Sequence, residues 1–242
     1  MRLKKNVRMT LLYLAFVVIG VAMVFPFIWM IATSFKTGTD IYSLSLLPKK
    51  FTLDNYREVL AGSDFPRWFL NSFLVAGITT LSVLVFDPLL GYAFCKYRFR
   101  GKEAIFTMLL STMMIPTEMM IISWYMMVNQ LGWNNTYWFM LFPGLSSAFG
   151  IFLMRQFFTG VPDELLDAGR IDGLSEFGVY TRIALPLVTP ALSALGIFTF
   201  LGNWNSFLWP VIALDSKEKY TKKRGEETYI LAPAWVVQCS YT

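Results

Sequence analysis

The chain has 242 residues, 55% of them hydrophobic and only 15% charged, with a mean hydropathy of +0.50; a soluble domain carries roughly 25% charged residues, so the class is integral membrane. It contains no histidine, which excludes His-based catalysis and His-ligated metal sites. The net charge of +5 reads as basic loops flanking membrane spans, not as nucleic-acid binding.

In chain order, Met9 to Phe35 carries no charge and follows the basic stretch MRLKKNVR. A secretory signal starts in the same way but has an apolar core of about 7–15 residues; this run is far longer and reads as the first span, bent at Pro26. Lys36 to Arg67 is a polar external segment. Within it, TLDNYREVL puts Leu53, Tyr56, Val59 and Leu60 on one helical stripe with Thr52 as N-cap, which predicts a short helix lying on the membrane surface. The second span covers 68–95 and ends in the basic hairpin KYRFRGKE. The third, 104–128, is interrupted by Pro116 and carries Glu118. A brief polar turn, NQLGWNNT, precedes the fourth span at 137–158, and the fifth occupies 187–214.

Charge orients these spans. Arg2, Lys4, Lys5 and Arg8 fall on the same side as Lys96, Arg98, Arg100 and Lys102, and as Arg155, Arg170 and Arg182. By the positive-inside rule that side, with the N-terminus, is expected to be cytoplasmic. The external segment also holds Lys36, Lys49, Lys50, Arg57 and Arg67, so the signal is a bias in density. Cys95 and Cys239 have neither metal-binding nor redox spacing and fall on opposite sides of the membrane, so no disulfide is expected.

The loop between the fourth and fifth spans, 159–186, is small, charged and marked by glycine. Val161-Pro162-Asp163-Glu164 is a helix start, with two acids at the positive end of the dipole. Asp167 and Arg170 lie one turn apart and are expected to pair. Ala168 and Gly169 form a small-residue patch that another surface could approach closely, and Gly173 suits a left-handed helix end. A second short helix, from Ser175 to about Ala184, feeds Leu185-Pro186 and the next span. The product is a helix–turn–helix knob held by a span at either end.

This spacing resembles the EAA loop of the membrane subunits of bacterial and archaeal ABC importers: Glu-Ala-Ala, three residues, Gly, nine residues, Ile, one residue, Leu-Pro. Asp167-Ala168-Gly169, Gly173, Ile183, Leu185 and Pro186 occupy those places. Asp for Glu and Gly169 for the second Ala are departures, and the glycine loosens the helix by roughly 1 kcal/mol. FTLDNYREVL, MIPTEMMIISWYMMVNQLGWNNTYW and NWNSFLWP are similar to the carbohydrate-uptake, maltose-type branch, over roughly residues 1–220. The resemblance implies an all-α, polytopic bundle of the type I importer permease kind, set in the bacterial or archaeal inner membrane. It also implies that the knob docks on a separate ABC ATPase dimer. The further partners it implies are a second homologous permease subunit, an extracytoplasmic sugar-binding protein and membrane lipid. ATP and Mg belong to the ATPase; this chain is expected to bind no cofactor, catalyse nothing and hold no metal. It contains no G-x-x-x-x-G-K-[ST] phosphate loop, since Gly101-Lys102 has neither the glycine spacing nor a following Ser or Thr.

Asn203, Trp204 and Asn205 lie within the fifth span. Amides in hydrocarbon must be satisfied, so they face either a translocation path, where amides and a flat ring suit a sugar, or neighbouring helices that they hold together. Glu118 follows Pro116, where freed amides favour a carboxylate; structural relief and a gating or substrate role both remain open. Asp87 has no counterpart in the family pattern and is expected to face a polar crevice.

After Tyr220 the chain reads TKKRGEETYILAPAWVVQCSYT, whose best apolar run is far below the roughly 20 residues a span requires. Family members carry six core spans; five are visible here. The expectation is a frameshift or truncation near Tyr220 that removes the sixth and leaves an atypical tail over 221–242. Two other function classes are weighed: an ion-coupled secondary transporter, for which Glu118 and Asp87 would be the acids but the inverted repeats are missing, and an ABC permease for a non-sugar solute.

Overall fold

The computed structural model describes residues 2–224, and among these every regular element is helical. The tail from residue 225 onward, including Cys239, lies outside the described residues. The chain divides at Pro66 into two units.

The first unit holds α1 (Arg2–Ser34), a 3-10 turn (Gly38–Tyr42) and α2 (Asp54–Ala61). α1 continues through Pro26 as one helix. Its last carbonyls need donors; Asn55 Nδ2 bonds that of Ser34, and also the Lys36 carbonyl just beyond the helix, at 2.9 Å each. Lys36 is fully buried. Its ammonium donates to the Ser45 carbonyl at 2.5 Å and lies 5.0 Å from the Trp29 ring centre, so protein atoms replace its hydration. α2 forms where a short helix was expected, and Leu53, Tyr56, Val59 and Leu60 are all exposed. Its start corrects one expectation. Thr52 Oγ1 accepts from the Asp54 amide at 3.1 Å, but Leu53 occupies the cap position, so Thr52 forms a turn ahead of the helix.

The second unit is built on α3 (Phe65–Lys96), α4 (Lys102–Thr112), α5 (Ile121–Gln130), α6 (Trp138–Gly144) and α7 (Ala148–Thr159). It continues with α8 (Asp163–Ile171), α9 (Glu176–Val179), α10 (Leu185–Leu187), α11 (Thr189–Trp204) and α12 (Leu208–Ala213). Across the described residues, Met9–Ser34, Phe65–Lys96 and Trp138–Thr159 have the length and hydropathy of spans, and counting two sharply bent helix pairs brings the number to five.

The later spans are broken, and each break has a chemical cause. At the expected Pro116 interruption, Lys102–Thr112 and Thr117–Gln130 differ by 89° in direction. A 3-10 turn, Thr117–Met120, restarts the chain directly after the proline. The fourth span, expected to be continuous over 137–158, is α6 and α7 separated by Leu145–Ser147. Pro143 has no N–H for the Phe139 carbonyl, and the Trp124 indole takes that carbonyl at 3.1 Å. Ser147 then caps the restart, its Oγ accepting from the Gly150 amide at 2.8 Å. The fifth span, expected over 187–214, ends its helix at Trp204 and resumes at Leu208. Pro210 thereby falls in the first turn of α12, where a missing N–H costs nothing; in an unbroken helix it would forfeit the bond to Ser206.

A seam along α3 organises this unit. Ser82 Oγ donates to the Leu145 carbonyl at 2.8 Å, Asp87 meets Ser146 and Ser147, and Lys96 Nζ donates to the Val161 carbonyl at 2.7 Å. Between these, a Cβ on Gly91 would come 2.8 Å from Met154 Cβ and 2.9 Å from the Arg155 amide nitrogen, so the two backbones touch where only glycine fits. Contacts advance together along both partners, so α3 and α7 run parallel. Val83, Tyr92, Met154, Phe158, Val179 and Tyr180 share one buried cluster, which joins α3 and α7 to the loop that follows.

At the other end, Asn135 adopts a left-handed conformation with φ 54. Its Oδ1 accepts from the amides of Asp215 and Ser216 at 3.2 Å each, and its carbonyl from Lys219 Nζ at 2.8 Å. Trp68 Nε1 bonds the Lys217 carbonyl at 2.8 Å and Asn71 Nδ2 the Tyr220 carbonyl at 2.9 Å, so the segment after α12 is tied to α3.

Candidate functional site

The loop after α7 folds as a knob. α8 begins behind Pro162 with Asp163 and Glu164 in its first turn. Lys96, at the end of α3, reaches Asp163 Oδ1 at 2.6 Å, and that hydrogen bond holds the Asp163 carboxyl below the usual carboxylate range. α8 ends at Gly173, whose φ is 84. The amides of Gly173 and Leu174 donate to the carbonyls of Arg170 and Gly169 at 3.1 and 3.0 Å, the paired closure of a Schellman end. Ser175 caps α9, accepting from the Gly178 amide at 3.2 Å.

The exit differs from the expectation. Tyr180–Ala184 widens into a π-turn, and the arm Glu176–Leu187 continues through Leu185-Pro186 before an 80° bend into α11. Pro186 has no N–H to offer the Arg182 carbonyl, and the wider turn absorbs the missing bond. The chain turns at Val188 (φ −105, ψ 16).

The expected Asp167–Arg170 pair forms, with Nη1 to Oδ1 at 2.6 Å. Arg170 also grips Glu176 through Nε to Oε1 at 2.8 Å and Nη2 to Oε2 at 3.1 Å. Tyr97 Oη donates to Glu176 Oε2 at 2.9 Å. These bonds to Glu176 and then to Asp167 raise the Arg170 pKa above its ordinary value. Sequence reasoning missed Glu176; the signal available was an acid directly behind the Ser175 cap, six residues from Arg170.

The small-residue patch is corrected. Ala168 is exposed but Gly169 is buried, and a Cβ on Gly169 would overlap Ile183 Cδ1. Gly169 therefore admits the second arm of the knob, not an outside surface; Ile183 and Leu185 are half-buried and Pro186 is exposed. The apolar tip lies elsewhere: Ile171 is 86% exposed and Phe177 67%, on either side of the Gly173 turn.

Beyond the knob, two neighbouring cavities of about 160 and 270 Å³ share Pro143, Gly144 and Asn203. Hydroxyls of Ser72, Thr117, Ser206 and Thr221 with the Trp209 ring line the first; Thr79, Ser146, Ser147 and Thr199 with Phe149 and Phe198 line the second. Neither has a charged lining residue among those described. Of the four residues expected on a path, Asn203 is the one that lines these two cavities. Its Nδ2 donates to the Thr199 carbonyl at 2.9 Å. Trp204 instead packs edge-on to Phe69, centres 5.0 Å apart, and stacks on Phe200 at 5.8 Å. Asn205 bonds back to the Leu201 carbonyl at 2.9 Å and is exposed, as is Glu118; Thr117, beside Glu118, is the residue that reaches the cavity.

Asp87 is fully buried. It accepts from Ser146 Oγ at 2.7 Å, Ser147 Oγ at 2.8 Å and the Ser147 amide at 3.1 Å to each oxygen. In place of an open crevice, it faces the serines that line the second cavity.

A polytopic bundle of broken spans, with a clasped knob between two of them and neighbouring uncharged cavities, defines a membrane transport component. The chain belongs to the family described as the binding-protein-dependent transport system inner membrane component, which it matches over residues 88–218. It is 35% identical to the arabinooligosaccharides transport system permease protein AraQ of Bacillus subtilis, over 88% of this chain and 78% of that one. It is 34% identical to the lactose transport system permease protein LacG of Rhizobium radiobacter (82% and 72%) and 31% identical to the sn-glycerol-3-phosphate transport system permease protein UgpE of Brucella abortus (84% and 76%). In fold it is similar to a chain from the crystal structure of a bacterial ABC transporter that imports the acidic polysaccharide alginate. The TM-score is 0.80 at 22% identity, covering 92% of this chain and 79% of that one.

Proposed function

We propose that this chain is the permease subunit of an ATP-driven importer for a neutral sugar, and that its knob is the part a separate ATPase subunit grips. The observation that carries this reading is the knob itself. It is anchored to α3 through Lys96, closed by the Arg170 clasp, and presents Ile171 and Phe177 outward. An exposed apolar tip on a rigid base suits a cleft on a partner. Force applied there reaches the spans, because the knob cannot turn independently of α7 and α11. The basic hairpin and the knob meet through Lys96 and Asp163, which supports a cytoplasmic position for both and, with the basic start of α1, for the N-terminus.

In this reading ATP and Mg are used by the ATPase dimer, an extracytoplasmic binding protein delivers the solute, and a second homologous permease completes the pathway. Two relatives are named for arabinooligosaccharides and lactose. Uncharged, mainly apolar cavities with scattered hydroxyls, an amide and aromatic rings favour a neutral hydroxylated solute over a phosphorylated one such as UgpE is named for.

The test uses single cysteines at exposed Ala168 and Ile171, with the chain co-expressed with an ABC ATPase, a second permease and a binding protein from the same genome. A short bifunctional maleimide is expected to capture the ATPase from both positions, and the assembly to accumulate a labelled arabinooligosaccharide or lactose on ATP. No ATPase captured from either position would sink the docking assignment. Capture without uptake of either probe would sink the sugar assignment alone.

A further inference from the structure

We propose that Asp87 is a positioning residue for transport: it pins the amino end of α7 to α3, so that movement of the knob arrives at the cavity wall. The inference rests on the reading of the knob as the handle of an ATPase.

Asp87 is the buried acid that neither the family pattern nor the proposed solute path absorbs. Isolated charge in a membrane interior is costly, and this carboxylate has no cation against it among the described residues. It is stabilised by four hydrogen bonds from two consecutive residues, Ser146 and Ser147. It also lies at the positive end of the α7 dipole, a helix of 12 residues. Ser147 Oγ donates to Asp87 while accepting from the Gly150 amide at 2.8 Å. The carboxylate therefore secures the cap, and the cap secures the helix. Gly150 leaves the room: a Cβ there would overlap Asp87 Oδ2.

The position of this pin matters more than its strength. Asp87 and Gly91 are one turn apart on α3, and Gly150 and Met154 one turn apart on α7, so the pin and the glycine contact fix one register between parallel helices. On the far side of the pin, Ser146, Ser147 and Phe149 form part of the cavity wall shared with Asn203. At the other end of α7, Phe158 packs with Val161 and Tyr180 of the knob. α7 thus spans from knob to cavity, and Asp87 is where its cavity end is held. Without the pin, the knob would still move but the cap could slide or fray, and the displacement would be lost before reaching the wall.

The experiment uses the assembled transporter with cysteine in place of Phe149 as reporter, and with Cys95→Ser and Cys239→Ser to silence the native thiols. Maleimide labelling at position 149 is timed with and without ATP and vanadate, alongside ATP hydrolysis. In the parent, nucleotide should change the labelling rate by about fivefold, the lower end of usual coupling factors. Asp87→Asn keeps the shape but turns an amide toward the Ser147 donors; it should abolish that change while hydrolysis continues within about twofold of the parent, a split that a merely structural role would not give. Gly150→Ala displaces the same carboxylate from the other side and should behave alike, which keeps the test open if one variant fails to assemble. A nucleotide response retained in both variants overturns the proposal, and so does failure of both to assemble, which would make Asp87 a folding residue only. A parent assembly with no bound ATPase overturns the docking reading and this one together.

Discussion

Gly169→Val tests whether the glycine of the knob is an internal packing position. A Cβ at residue 169 would overlap Ile183 Cδ1, and it would lie 3.5 Å from Leu174 Cδ1 and 3.6 Å from Val179 Cγ2. A single methyl is tolerable. Ile183 Cδ1 is the end of a flexible chain, and shifting it off its rotamer costs about 0.5–1.5 kcal/mol, while Ala recovers roughly 1 kcal/mol of helix propensity over Gly. Gly169→Ala should therefore be close to neutral. Valine adds two methyls toward Leu174 and Val179, which already stand at contact distance, and overpacking of this kind costs about 1–3 kcal/mol. The assay is tryptic nicking after Arg170, which lies in the last turn of α8 with its guanidinium held by Glu176 and Asp167. When reclosing is fast, nicking follows the open population, so the rate should rise about 5- to 150-fold for Val and hardly at all for Ala. Ile183→Ala opens space, so the double variant should be less labile than the two single effects added, by about 0.5–3 kcal/mol of coupling. Equal nicking of wild type and Gly169→Val would refute the placement. Strict additivity with Ile183→Ala would move the clash to another neighbour.

Gly173 has φ 84 and open space around its missing side chain, so Gly173→Ala should cost only the left-handed penalty of about 1–2 kcal/mol; Gly173→Asn, which tolerates that conformation, should nick more slowly than the alanine variant. Removing the clasp with Arg170→Ala leaves Glu176 and Asp167 without their partner. With these side chains 37–64% exposed, the loss should be about 1 kcal/mol at low salt and smaller at high salt, read as faster amide exchange in Ser175–Gly178. The pH dependence follows from Asp163, whose pKa is depressed by Lys96. A carboxyl lowered on folding contributes above its ordinary pKa, and the contribution disappears as pH falls through the folded value. Protection of the α8 amides, corrected for intrinsic exchange, should hold from neutral pH to the ordinary aspartate range and fall only below it. Asp163→Asn should remove that step, and a step unchanged in the variant would assign it to another group.

The knob was legible because its signals are local. Two acids behind Pro162 mark the start, Gly173 marks the end, and Asp167 finds Arg170 three residues on. What was not legible depends on chain distance. Nothing near Gly169 announces Ile183, and Arg170 has two acids within reach, of which the more distant, Glu176, is held by two hydrogen bonds. The spans show the same limit. Hydropathy locates where the chain crosses but averages over the residues that break it. The break at Pro116 was expected because proline acts on its own helix. Those at Leu145–Ser147 and Asn205–Phe207 were not, although Pro143 and Pro210 stand beside them. A proline alone does not decide a break, since α1 and α3 run through Pro26 and Pro88 as single helices, and the restart at Ser147 is held by Asp87, 60 residues away.

Each break frees backbone groups that a bilayer cannot satisfy, and each has a polar side chain close by. Pro143 orphans the Phe139 carbonyl, and Trp124 takes it. The amides of α7 begin unbonded, and Ser147, held by Asp87, caps them. α11 ends at Trp204, and Asn203 and Asn205 bond back to its last turns. A polar residue inside a span is therefore explained first by the nearest interruption of the backbone, and only what remains is evidence of a path. Trp204 finds its partners in ring contacts and Asn205 in Leu201; neither lines the two cavities that Asn203 joins. Asn203 has a backbone role too, but it is also the amide shared by both cavities. That double placement, which spacing alone could not separate from its neighbours, makes Asn203 the residue in this span whose replacement by leucine should alter solute transport while leaving ATPase docking at the knob intact.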